Sequence, residues 1–178
     1  MIPTMNLLTR YRILLAGFIA GVVLAGATAF PLTWEIAHLA DFLQRAPIQI
    51  PSLTAWVVKV GQGLTETDAR FPFLAYGTDW LAFAHLMIAI AYIGPWREPV
   101  RNRWVLEWGL ICCAGVIPLA LICGPIRGIP WGWTLVDCAF SVVGFPVLWT
   151  LWKWSKALEV AQWPKPIERA ERLALSDY

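Results

Sequence analysis

Tyr76-Gly77-Thr78-Asp79-Trp80-Leu81-Ala82-Phe83-Ala84-His85-Leu86 opens an apolar stretch that runs to Ile93, and two more stretches follow it, at 104–123 and 133–152. Only short turns built on Gly94-Pro95-Trp96-Arg97 and Gly124-Pro125-Ile126-Arg127 separate them. Each stretch has roughly the twenty residues that a hydrocarbon core of about 30 Å requires at about 1.5 Å per residue. The pattern predicts a membrane hairpin followed by one further crossing.

Upstream, Arg10 and Arg12 are followed by an uncharged stretch at 13–34. A cleaved signal peptide competes for this segment, but its apolar core is about 7–15 residues long. The longer stretch here predicts a retained first crossing. Within it Gly17, Gly21 and Ala25 recur every fourth residue, a spacing that lets another backbone approach closely in lipid. The stripe suits packing inside the bundle first, and a second copy or a foreign helix second.

Composition agrees with four crossings. Hydrophobic residues make up 58% of the chain and charged ones 15%, with 12 Trp and a mean hydropathy of +0.59. A soluble 20.0 kDa protein with four such segments would lack the polar chain to cover them. The net charge of +2 is small and the basic residues sit at helix ends, which excludes a nucleic-acid stripe. The four cysteines, Cys112, Cys113, Cys123 and Cys138, lie in apolar stretches with neither a C-x-x-C pair nor zinc spacing. They read as small core residues, and only Cys123 and Cys138, which flank a turn, merit consideration as a disulfide.

Residues 35–75 form the one substantial loop. Ile36, Leu39, Ala40 and Leu43 share one helical face while His38, Asp41 and Arg45 share another. After Pro51, Ser52 is placed to cap a second amphipathic helix carrying Leu53, Trp56, Val57, Val60 and Leu64, which Gly61 or Gly63 would end. Both helices are expected to lie on the outer face. Ten basic residues (Arg10, Arg12, Arg97, Arg101, Arg103, Lys153, Lys156, Lys165, Arg169, Arg172) fall on one side and four (Arg45, Lys59, Arg70, Arg127) on the other. The positive-inside rule then puts both termini in the cytoplasm and the large loop outside. The expected plan is an all-α bundle of four transmembrane helices in a bacterial inner membrane. It comprises an N-terminus at 1–12, a first crossing at 13–34, the loop at 35–75, the remaining three crossings at 76–154 and a cytoplasmic tail at 155–178 with a short charged helix. Pro118 and Pro146 should each bend a crossing.

Three segments carry a resemblance. Asp79-Trp80-Leu81-Ala82-Phe83-Ala84-His85, Gly94-Pro95-x-Arg97-x-Pro99-Val100-Arg101-Asn102 and Gly124-Pro125-Ile126-Arg127-Gly128-Ile129-Pro130 resemble a family of small, uncharacterised four-helix inner-membrane proteins of bacteria. The resemblance covers about 76–152. It implies the four-helix topology and no activity.

Ionisable groups inside a bilayer cost a few kcal/mol at mid-helix and point to function by default. His85 lies about 9 Å deeper than Asp79, and Asp137 lies at a similar depth below Pro130, at helical rise. Were their helices neighbours, Asp137 would accept a hydrogen bond from His85, with Arg127 and Asp79 at the rim and Glu35, His38 and Asp41 nearby. This constellation reads either as an outward-facing pocket that relays a proton or orients a ligand, or as a buried pair that fixes helix register. Glu107 is expected to reach Arg103 or Arg101.

A bis-histidine haem is excluded by the unequal depths of His38 and His85, while a single-histidine tetrapyrrole site stays open. No metal cluster, phosphate loop or hydrolase elbow is present. Two functions remain. The first is a non-catalytic accessory or structural subunit of a membrane assembly, with lipid and a membrane-protein partner or second copy, through the first crossing, as its contacts. The alternative is a small proton-linked transporter or membrane enzyme built on His85, Asp137, Arg127 and Asp79.

Overall fold

The computed structural model describes residues 6–48 and 50–162, so the expected charged helix of the tail lies outside the described residues. Among the described residues seven helices follow one another: α1 Leu7–Ala29, α2 Leu32–Arg45, α3 Pro51–Arg70, α4 Tyr76–Ala91, α5 Ile93–Arg97, α6 Arg103–Ile126 and α7 Trp131–Gln162, with a 3-10 turn at Pro72–Leu74 before α4. No strand occurs among the described residues. Helix α1, the span that includes α4 and α5, α6 and α7 are all long and apolar enough to cross a membrane. At most 33% of the most apolar part of each is buried within the chain. Apolar helices left so open are compatible with an integral membrane protein covered by lipid.

Local chemistry sets the ends. Asn6 caps α1, its side-chain oxygen accepting from the Thr9 N–H at 2.8 Å. Pro31 separates α1 from α2, because it has no N–H to continue the helix. Pro95 acts in the same way on the second crossing. Its ring competes for the space of the carbonyl four residues back, and α4 stops at Ala91. The short α5 then turns the chain, closed by Asn102 Nδ2 donating to the Gly94 carbonyl at 3.1 Å.

Several expected boundaries are corrected. Gly124-Pro125 lies within the last turn of α6, and the residue that stops this helix is Gly128, at φ 68°. The Ile129 N–H bonds the Gly124 carbonyl at 2.9 Å and the Gly128 N–H bonds that of Pro125 at 3.1 Å, a Schellman closure. Helices α6 and α7 run uninterrupted through Pro118 and Pro146. Helix α3 begins with Pro51 in its first turn and has no side-chain cap from Ser52. It continues past Gly61 and Gly63, because a glycine inside a helix costs only about 1 kcal/mol and tertiary contact overrides it. Gly61 sits where α2 comes closest, with Ile36 Cγ2 3.4 Å from where a Cβ would stand. Helix α7 extends to Gln162, so no break separates the fourth crossing from the start of the tail.

Helix α1 packs against both α4 and α7, and α7 packs against α6. The buried core gathers toward the end that carries Arg10, Arg12, Arg97 and Arg103, here called the basic end. It consists of Tyr11, Leu15, Tyr92, Val105, Leu106, Cys113, Leu148 and Leu151. Tyr92, between α4 and α5, meets α6 there, packed edge-on against Phe18 with ring centroids 5.0 Å apart and set over Gly109. A polar lock holds the same end. Arg103 pairs with Glu159 and donates to Ser155 Oγ at 3.1 Å, while Ser155 donates to the Pro99 carbonyl at 2.8 Å. At the opposite end α2 and α3 form an antiparallel hairpin in which only Val57 is buried.

Candidate functional site

The structure distributes the predicted site residues over five places. His85 faces α1, where Gly26 lets the two helices approach. A Cβ at 26 would stand 2.9 Å from His85 Cβ and 3.0 Å from the Ala82 carbonyl oxygen. The close-approach glycine of α1 is therefore Gly26. Around Gly17 and Gly21 a Cβ would meet nothing within 4 Å, so neither of these two glycines of the expected Gly17, Gly21, Ala25 stripe makes a close approach within the bundle.

The His85 ring bonds through Nδ1 to the Leu81 carbonyl at 2.8 Å. It borders an apolar cavity of about 100 Å³ with Phe18, Val22, Tyr92, Cys112 and Phe140. Asp137 is absent from that lining. It lies exposed on α7, with no hydrogen bond or ion pair among the described residues. The expected His85–Asp137 bond is not formed, because α4 packs on α1 while α7 packs on α6 and on α1. Equal depth along two helices did not bring the two side chains face to face.

Asp79 stands at the hairpin end, lining a cavity of about 580 Å³ between that hairpin and the ends of α1 and α4. Thr33, Thr67, Asp68 and Thr78 contribute its polar wall. Thr33 Oγ1 donates to Asp68 Oδ2 at 2.7 Å, tying α2 to α3 beside it. Asp68 and its threonine partner were not singled out from the sequence. Their 35-residue separation hides the contact, though an acid within an amphipathic helix is a usable cue. Arg127 is exposed on the α6–α7 turn and makes no ion pair among the described residues, so it does not meet Asp79. His38 is exposed, its ring 4.0 Å from that of Trp34 and its Nδ1 bonded to the Trp34 carbonyl at 2.8 Å. Glu35 is half-buried, and Asp41 pairs with Arg45 at 2.8 Å on the exposed face of α2. None of these three lines the Asp79 cavity.

Glu107 accepts from Trp152 Nε1 at 2.9 Å rather than pairing with Arg103, which Glu159 engages. All four cysteines are free thiols. No group of three or more His, Cys, Asp or Glu side chains is placed to hold a metal among the described residues. Compared with family models, with curated proteins and with solved structures, the chain matches none of them.

Proposed function

We propose that this chain is a non-catalytic subunit of a membrane assembly, set in a bacterial inner membrane with both termini cytoplasmic and the α2–α3 hairpin outside. The observation that carries the reading is Asp137. It sits six residues into α7, about 9 Å below the start of that helix, on the bundle's outer surface beside the exposed Leu135 and Val136. An ionised carboxylate costs about 2.5–3.5 kcal/mol at the centre of a lipid-facing helix on insertion scales, and a part of that at the depth of Asp137. A donor from a partner's transmembrane helix offsets that cost, and a polar bond of this kind fixes register between helices in lipid. The open stripe at Gly17 and Gly21 offers a second surface for close helix approach, to a further copy or a different subunit.

The test uses the full-length chain in its native membrane with a photo-cross-linking residue at Val136, and the same residue at Ile111, exposed on α6, as control. The expected result is a discrete protein adduct from position 136 that disappears when Asp137→Leu is added, with lipid products from position 111. Lipid products alone from both positions would defeat the proposal.

The cavity at Asp79 favours a second reading, an outward-facing pocket protein. It would act as a small transporter or membrane enzyme, with Asp79 and Asp68 in place of the wider constellation of His85, Asp137 and Arg127. Two carboxylates beside threonine hydroxyls suit a cationic or hydroxylated ligand. Asp79→Asn separates the readings: it would abolish transport or turnover in a pocket protein and leave the Val136 adduct untouched in a subunit.

A further inference from the structure

A second cavity, of about 450 Å³, opens at the basic end between the start of α1, the α5–α6 turn and the last turns of α7. Arg12, Arg97 and Arg101 line it with Glu98, and Leu8 and Leu158 supply apolar wall. Three arginines thus line the cavity against one carboxylate. That carboxylate engages Arg101 alone, at 3.5 Å, in a well-exposed pair of the weak kind. Arg97 has no ion pair among the described residues. Arg12 is more telling: its Nε is fully buried and finds no hydrogen-bond acceptor. A buried guanidinium N–H without an acceptor is costly, and an anion or strong acceptor reaching the site would offset that cost. Arginine forks match phosphate oxygens two at a time. The position, where the membrane-spanning helices end beside an apolar wall, is the level of lipid headgroups and the first acyl carbons.

We propose that the Arg12–Arg97–Arg101 cavity binds the phosphate of an anionic phospholipid, with Leu8 and Leu158 against its glycerol and upper acyl chain. The bound lipid would cross-link α1, the α5–α6 turn and α7 at the basic end. The inference rests on the chain being embedded in a bilayer and is independent of the partner reading of Asp137.

The test is native mass spectrometry of the full chain released from mild detergent after equilibration with phosphatidylglycerol or with phosphatidylcholine of the same acyl chains. Phosphatidylglycerol should be retained preferentially, and Arg12→Gln with Arg97→Gln should reduce that retention on the order of tenfold or more. Arg10→Gln removes one charge from the same end without touching the cavity and should leave retention unchanged, whereas Arg12→Gln alone should already lower it. Glu98→Gln, an exposed substitution that spares the fold, should raise it, which keeps the proposal testable should the double variant fail to fold. Equal retention of the two lipids, or an Arg10→Gln loss equal to that of the double variant, would overturn the site. Displacement of the lipid by millimolar inorganic phosphate would overturn the lipid as its source and assign the site to a free anion.

Discussion

Replacing Gly109 by alanine tests how the bundle is closed at its basic end. A Cβ on residue 109 would overlap Tyr92 Oη and stand 2.9 Å from Leu148 Cδ1. The leucine methyl can rotate aside, but the tyrosine cannot. Its ring is buried, held edge-on by Phe18 at 5.0 Å and flanked by Trp108 at 6.5 Å. Overpacking of one carbon into such a site costs about 1–3 kcal/mol, which in a chain of this size lowers Tm by roughly 3–10 °C. The assay is thermal unfolding of the purified protein in one fixed detergent, followed by tryptophan fluorescence. Gly115→Ala, on the same helix with open space around it, supplies the control and should shift Tm by less than about 2 °C. Adding Tyr92→Phe removes the overlapped oxygen, so the double variant should lose less than the sum of the two single changes by about 1 kcal/mol. A Gly109→Ala protein as stable as Gly115→Ala, or strict additivity with Tyr92→Phe, would refute the packing of Tyr92 over Gly109.

Three further outcomes follow from the same geometry. Gly26→Ala drives a methyl into His85 Cβ and the Ala82 carbonyl, so it should destabilise the α1–α4 pair by about 1–3 kcal/mol, whereas Gly17→Ala should be near neutral in thermal melts. Gly128→Ala forces an L side chain to φ 68° and should cost about 1 kcal/mol, with Gly128→Asn milder, read as the order of Tm values. Arg103→Ala removes bonds to both Ser155 and Glu159 and should cost about 1–2 kcal/mol, reduced because Glu159 is 47% exposed. Limited proteolysis of the α7 end should accelerate in that variant and stay unchanged in Arg101→Ala.

The number of helices long and apolar enough to cross a membrane was legible in the sequence because length and apolarity alone decide it. The four apolar stretches correspond to α1, the α4–α5 span, α6 and α7. The amphipathic loop was legible for the same reason, through the periodicity of Ile36, Leu39 and Leu43. Boundaries were less so, since a proline can end a helix or ride inside it. Pro95 coincides with a break, whereas Pro125 lies in an unbroken last turn that a glycine three residues on closes. The site was the least legible part. Helical rise gives the depth of His85 and Asp137 but not which neighbour each faces, and neighbour choice rests on packing. Gly26 shows how: a lone glycine outside any repeat makes the close contact that the regular Gly17–Gly21–Ala25 stripe was expected to make. The Arg12 cavity joins residues from three separate parts of the chain, so no local motif announces it.

The threading of the chain through lipid underlies both proposals, and impermeant-maleimide labelling of intact cells tests it most directly. In a background with the four native cysteines replaced, Lys59→Cys on α3 and Arg10→Cys at the basic end are both exposed positions. Lys59→Cys should react from outside the intact cell, and Arg10→Cys only after permeabilisation. Reaction of both from the same side, or of Arg10→Cys alone in intact cells, would contradict the four-crossing arrangement with its hairpin outside.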